Sequence, residues 1–310
     1  MDHRRHSKIE VSKQIRFDGD YMKIKDILAN KKVSVSLEVF PPKQSTAFES
    51  VKTAVHKLCD LQPSFMSVTY GAGGGIGWHT AEIAGFVQNE CSVPALSHLT
   101  CLLSNRATIS ETLAQLKEKG IENILALRGD VPPDSSFIPA GDFNYASELV
   151  EEIHKNGDFC VGGACYPEGH VESEHIDVDL ENLKRKVDAG VDFLTTQMFF
   201  DNDILYRFLY KARERGITVP IIAGIMPVTN AKQISRICKL SGTYLPQRFK
   251  AIVDRFGDNP DTMAQAGIAY ATEQIIDLIA NGVNAVHIYT MNKPEIAQGI
   301  MNNLSSIIAD

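Results

Sequence analysis

Short runs of β-branched and apolar residues alternate along this chain with longer segments in which apolar residues recur every three or four positions. The first pattern is that of a buried strand, the second that of an amphipathic helix. Eight runs stand out: VSVSLEVF (33–40), FMSVTYGA (65–72), ALSHLTCL (95–102), NILALRGD (123–130), FCVGGACY (159–166), DFLTTQMF (192–199), VPIIAGIM (219–226) and NAVHIYTM (284–291). A helical segment follows each, and ATISETLAQLKEKG (107–120) and DVDLENLKRKVDAG (177–190) both stop at the glycine expected just past a helix end. Strands that alternate with helices build either an open doubly wound sheet or a closed barrel, and a count of eight predicts the α/β class as a single (β/α)8 TIM barrel. Two extra helical pieces are expected within 241–281, before the last strand. Residues 1–32 read as an N-terminal extension with one short helix in YMKIKDILANK, and 33–310 as the barrel.

Composition narrows the partners. A chain of 310 residues with 44% hydrophobic and 22% charged positions buries a sizeable core. The net charge of −7 gives no electrostatic reason to expect nucleic acid or an anionic membrane, which leaves a small molecule. Locally, residues 1–32 carry nine Lys/Arg against five Asp/Glu, which suits a tail whose helix caps the barrel bottom or, as the sharper alternative, a partner-docking segment. The six cysteines form no C-x-x-C pair and read as reduced core residues, with no metal site. No run approaches a membrane span and no apolar stretch follows the basic start, so the expected compartment is the cytoplasm.

In such a barrel the reactive groups lie at the carboxyl ends of the strands. There the sequence delivers Glu38, then Thr69 and Tyr70, then His98 and Thr100, then Arg128, Gly129 and Asp130. The later strands add Tyr166 with Glu168 and His170, Gln197, and His287, Tyr289 and Asn292. A lone polar residue here is most often a satisfied rim or core group. Seven strands doing this together predict a mouth that holds a large polar ligand, because buried polar groups need partners.

Two motifs carry little. GAGGGIG (71–77) fails the G-x-G-x-x-G spacing in every register, and Arg128-Gly129-Asp130 closes a buried strand and so is no adhesion tripeptide. On the helix after the fifth strand, Asp179, Asn182 and Lys186 fall at i, i+3 and i+7; they reach either a ribose and diphosphate or only solvent.

The ordered set SLEVFPPK (36–43), SVTYGA (67–72), HLTC (98–101), ALRGD-x-PP (126–133), YPEGH (166–170), NLKRKVDAG (182–190), TQ-x-FFD (196–201) and GIMPVTN (224–230) resembles the bacterial methylenetetrahydrofolate reductases from about Val33 onward. The resemblance implies a barrel with non-covalent FAD at its mouth, reduced by NAD(P)H, which then reduces 5,10-methylenetetrahydrofolate to 5-methyltetrahydrofolate by ping-pong chemistry. The family's flavin contacts fall on Tyr70, Ala72, His98, Arg128, Gly129, Asp130, Tyr145, Ala146, Tyr166, His170, Asp179, Asn182 and Lys186. Its folate and nicotinamide positions fall on Thr69, Gln197, Gln233, Tyr289 and Lys293. Lys293 stands where the enterobacterial pattern has an Arg, Ile237 where it has a Phe, and the 71–79 loop is less polar; Lys in place of Arg loses a bidentate fork for a carboxylate.

The resemblance also implies roles. Glu38 is the general acid that opens the folate bridge, with burial expected to raise its pKa and keep it protonated. Asp130 is the anion that stabilises the iminium cation and disfavours anionic flavin. A homo-oligomer is implied, and, with no domain after the barrel, no inhibition by S-adenosylmethionine. The alternatives are a related flavin barrel that takes electrons from a partner protein, a proline-dehydrogenase-like amine oxidoreductase, and an assembly subunit without chemistry; retention of Glu38 and Asp130 argues against the last.

Overall fold

Each of the eight runs supplies one parallel strand: β1 (Ser34–Val39), β2 (Met66–Val68), β3 (Ala95–Thr100), β4 (Asn123–Leu127), β5 (Cys160–Cys165), β6 (Phe193–Thr196), β7 (Ile221–Ile225) and β8 (Ala285–Tyr289). They close in chain order, and β8 pairs with β1 so that Ala285 lies opposite Ser34 and Tyr289 opposite Glu38. The structure is a computed structural model that describes residues 16–17, 20–21, 23–42, 44–70, 77–131 and 141–309. The strands are legible as near-continuous apolar runs because helices cover their outer faces while the barrel interior covers the other; β1 is buried at all six positions.

The outer ring holds α2 (Phe48–Cys59), α3 (Gly77–Gly85) running on into a π-turn at Phe86–Glu90, α4 (Arg106–Glu118), α5 (Ala146–Asn156), α6 (Ile176–Asp188) and α7 (Asn202–Glu214). Between β7 and β8 come α8 (Ala231–Ser241), α9 (Gln247–Phe256) and α10 (Pro260–Ala280), and α11 (Pro294–Leu304) follows β8. The two helical pieces expected over 241–281 are α9 and α10. Of these α10 takes the ring place between α7 and α11, so the helices added to the eightfold alternation are α8 and α9. Met198, Phe200, Val228, Ile234, Phe249 and Met263 form the separate apolar cluster beneath them.

At the opposite end the helix α1 (Ile24–Asn30) closes the barrel. Ile24 and Ile27 join Phe65, Leu96, Leu125, Cys160, Phe193 and Ile222 in one buried cluster. The Ile24 amide donates to Asn123 Oδ1 at 2.9 Å, and Lys23 and Lys25 pair with Asp158 and Asp192 at 2.7 and 3.3 Å. These partners stand at or just before the starts of β4, β5 and β6, so the helix caps the bottom and leaves the mouth to chemistry. A two-residue antiparallel pair, Arg16–Phe17 with Asp20–Tyr21, precedes it.

Candidate active site

Period-two alternation turns Ser34, Ser36 and Glu38 of β1 to one side, as it does His98 two residues beyond Leu96 on β3 and His287 between Ala285 and Tyr289 on β8. Pairing of β8 with β1, and of β1 with β2 and β2 with β3, brings these rows together. Glu38 Oε2 lies 3.3 Å from Ser67 Oγ, 3.5 Å from His98 Nε2 and 3.6 Å from His287 Nε2. Ser36 Oγ meets His287 Nδ1 at 2.7 Å and Ser67 Oγ meets His287 Nε2 at 3.2 Å. All five residues are buried, Glu38 at 7% exposure.

The charge state of this cluster differs from the expectation. Burial pushes the Glu38 carboxyl up, but contact with His287, the electrostatic influence of the facing His98 and His287 rings and the Ser67 hydroxyl outweigh it and hold the carboxyl below its ordinary range. Sequence reasoning placed the acid on an apolar strand and so counted only desolvation; the imidazoles arrive from strands far away in the chain. His98 is driven the other way by the same burial, down to about 4, with the Glu38 carboxylate partly opposing it and His287 adding to it.

The sign of that shift gives a testable consequence. A histidine held neutral in the fold loses stability when pH falls through its unfolded value, because the unfolded chain then binds a proton that the fold refuses. Between the ordinary 6.5 and about 4 the loss is expected to reach about 3 kcal/mol, while the Glu38 contribution falls away only below its ordinary 4.5. His98→Asn is therefore expected to flatten the dependence of the melting temperature on pH between 6.5 and 4. An unchanged slope in the variant overturns the assignment.

A second group of residues lines the side of the mouth formed by β4 and β5. The Arg128 guanidinium makes a two-point pair with Glu172, at 2.5 and 2.8 Å, and its backbone carbonyl accepts the amides of Cys101 and Leu102. Gly129 follows with φ 87, where a Cβ would stand 3.1 Å from the Thr100 side chain. Asp130 is exposed beside Arg128. Tyr166 packs edge-on against His170 with ring centroids 4.6 Å apart, and burial, then the charges of Asp130 and Asp179, push its hydroxyl up to about 12. Tyr145 is exposed as the N-cap of α5, where Glu148 Oε2 accepts its amide at 3.0 Å, and Ala146 is buried behind it.

On α6, Asp179 is buried and accepts from Ser173 Oγ at 3.2 Å, and Lys186 Nζ donates to the Ala164 carbonyl at 2.7 Å, with burial holding its pKa down. Asn182 is exposed and accepts from Arg185 at 3.4 Å, so two of the expected three turn toward the end of β5. Thr69 is tied to β1 through its amide on Val39 at 3.0 Å, and Tyr70 is half-buried against the core. Gln197 folds back to accept from the Met198 amide at 2.9 Å. Tyr289 donates to the Thr196 carbonyl at 2.5 Å, and Lys293 Nζ donates to Thr229 Oγ1 at 2.9 Å. Gln233 is exposed on α8, one turn past the loop that Lys293 touches. Ala72 lies outside the described residues.

Three members of the site were missed in the sequence. Ser36 and Ser67 carry a legible signal, since each stands two residues before a singled-out position and therefore on the same face. Glu172 has none, being two residues past His170 in an irregular loop.

These residues suit a flavin dinucleotide. Arg128 just past β4 and Lys186 at the end of the neighbouring β5 are basic groups for a diphosphate, Asp179 is a buried acceptor for a ribose hydroxyl, and Gly129 admits a close backbone approach. Ser97 Oγ and His98 Nε2 are buried polar atoms without a hydrogen bond. Among the described residues no group of three or more His, Cys, Asp or Glu is placed to hold a metal, and no helix is long and apolar enough to cross a membrane.

Known proteins resemble this chain in fold and in sequence. A solved structure described as an uncharacterized protein from Clostridium thermocellum that binds two copies of 5-methyl-5,6,7,8-tetrahydrofolic acid shares the fold, with a TM-score of 0.60 at 13% identity over 93% of this chain and 99% of that one. Methylenetetrahydrofolate reductase (NADH) 1 of Zea mays is 38% identical over 92% of this chain but only 50% of its own length, so the chain spans about half of such plant relatives. The 5,10-methylenetetrahydrofolate reductase of Escherichia coli is 35% identical over 88% of this chain and 90% of its own length. A family model described as methylenetetrahydrofolate reductase matches residues 23–305, from the helix that closes the barrel bottom to the end of α11. The chain belongs to the methylenetetrahydrofolate reductase family.

Proposed function

We propose that the protein reduces 5,10-methylenetetrahydrofolate to 5-methyltetrahydrofolate with NAD(P)H, using non-covalently bound FAD, in the cytoplasm and as a homo-oligomer. The observation that carries this reading is the Glu38–Ser67–His98–His287 cluster, a proton-handling group at the mouth of a barrel that bacterial reductases match over nearly their whole length. Residues 33–310 form the catalytic unit in this reading.

Arg128, Lys186 and Asp179 hold the dinucleotide, with Tyr70, Ala72, His98, Gly129, Tyr145, Ala146, Tyr166, His170 and Asn182 around it. When bound, the flavin supplies the hydride chemistry, accepting from the nicotinamide and giving to the folate carbon. The chain's own part is protonation and charge. Glu38 protonates one bridging nitrogen of the folate, so that the bridge opens to an iminium on the other nitrogen. Its carboxyl is charged at rest, so a proton must first enter the cluster, at Oε2 or at one of the two facing Nε2 atoms, and pass to the substrate. Asp130 leaves a negative charge near the developing cation. Thr69, Gln197 and Tyr289 border the reacting end, while Lys293 and Gln233 flank the Thr229 turn for the folate tail.

The test is an absorption spectrum of the purified protein, followed by anaerobic NADH and then methylenetetrahydrofolate. Flavin bands are expected, then their bleaching, then their return. A colourless protein that FAD cannot reconstitute overturns the reading. Bleaching by NADH without reoxidation by the folate overturns the substrate and favours a related flavin barrel that acts on another amine. No bleaching by either nicotinamide points to a partner protein as electron donor.

A further inference from the structure

The turn that leaves β8 is strained. Met291 and Asn292 sit consecutively in the left-handed region, with φ of 54 and 56. Such conformations are unfavourable for residues other than glycine and persist where surrounding contacts hold them, asparagine tolerating them best. The contacts here are specific. Asn292 Oδ1 accepts the Phe40 amide at 2.8 Å and Asn292 Nδ2 donates to the Phe40 carbonyl at 2.9 Å. The carboxamide thus acts as one more rung of sheet, placed after the β8–β1 ladder has ended at Tyr289 and Glu38. Thr290, buried to 2% exposure, donates from Oγ1 to the Glu38 carbonyl at 2.6 Å and accepts the Asn292 amide at 3.3 Å.

Residues 290 and 292 therefore hold the Glu38 carbonyl and both polar atoms of the Phe40 backbone, immediately beyond the carboxylate. Pro41 and Pro42 follow, so no ladder amide is available there to do the same. The next residue, Lys293, caps α11 and reaches Thr229.

We propose that Asn292, supported by Thr290, is a positioning residue for Glu38: it fixes the backbone that carries the acid and ties it to the turn that presents Lys293. Neither residue touches the reacting atoms in this arrangement; both act through Glu38. The inference rests on Glu38 being the proton donor proposed above.

The test is a double-mutant cycle timed on the two half-reactions. Asn292→Gly removes the carboxamide while keeping a residue that favours the left-handed turn, and Thr290→Val, which removes the bond to the Glu38 carbonyl, is read in the same way should the glycine variant not fold. Asn292→Gly is expected to slow folate reduction about tenfold, the scale of a small misplacement of a catalytic group, and to leave flavin reduction by NADH within about twofold. In the Glu38→Gln background the same change is expected to have less than about a twofold effect, since coupled residues do not add. In the apoprotein, carbon NMR should find the Glu38 carboxyl titrating at higher pH in Asn292→Gly, because the carboxyl loosens from Ser67, His98 and His287. An equal slowing in both backgrounds, slowing of both half-reactions together, or an unmoved titration overturns the positioning role alone. A Glu38→Gln single variant close to wild type overturns the acid assignment instead.

Discussion

Glu38→Gln is expected to lower the rate of folate reduction by about 10²-fold or more while flavin reduction by NAD(P)H survives nearly intact, the usual scale for a lost general acid. The amide keeps the size of the side chain and still accepts from Ser67 Oγ, which lies 3.3 Å from Oε2, so packing is little changed. What it cannot do is give up a proton. The competing account makes Glu38 a structural carboxylate that balances two imidazoles; the variant would then melt lower and both half-reactions would suffer together. Stopped-flow traces of each half-reaction beside a melting curve separate the two, and folate reduction within about threefold of wild type ends the assignment. The wild-type folate step is also expected to slow as pH rises, because a carboxyl held below its ordinary range must gain a proton before it can donate one.

The second large effect is expected at Gly224 on β7, for steric reasons. A Cβ there would stand 2.3 Å from the Thr196 carbonyl oxygen and 2.5 Å from the Tyr289 hydroxyl. The Gly224 amide also receives Thr196 Oγ1 as acceptor at 2.8 Å, so β6 cannot retreat without breaking a buried bond. Gly224→Ala is expected to cost about 3 kcal/mol, the upper range for overpacking, and to lower the melting temperature by roughly 6 °C or more. Adding Tyr289→Phe removes the hydroxyl clash but leaves the backbone one, so the double variant should recover only part of the loss. A melting temperature within about 2 °C of wild type for Gly224→Ala shows that the strands yield, and refutes the argument.

The barrel was legible because each strand is buried on both faces and reads as a block, and because eight blocks close where five or six would stay open. Strand ends were legible too, since the fold delivers reactive groups at one rim: Glu38, His98, Arg128, Tyr166 and Tyr289 all stand there. What sequence spacing cannot supply is register between distant strands. That Ser36 and Ser67 meet His287 depends on β8 pairing with β1, a relation across some 250 residues of chain. The direction of the Glu38 shift was misread for the same reason, as its neighbours come from β3 and β8. The Arg128–Glu172 pair and the left-handed turn at Met291 and Asn292 belong to loops, where no periodicity announces a contact.

The closing of the barrel bottom by α1 has a consequence for the order in which the chain is assembled. The residues that bury Ile24 and Ile27 are spread from Phe65 to Ile222, and the hydrogen-bonding partners of Ile24 and Lys25 lie 99 and 167 positions downstream. A helix of seven residues has too few turns to persist alone in water. On a ribosome adding about 5–20 residues per second, Ile222 follows Ile27 by roughly ten seconds or more. Among the described helices α1 is therefore the first to be synthesised and one of the last to dock, and its two isoleucines remain for that interval a sticky segment for a chaperone to shield.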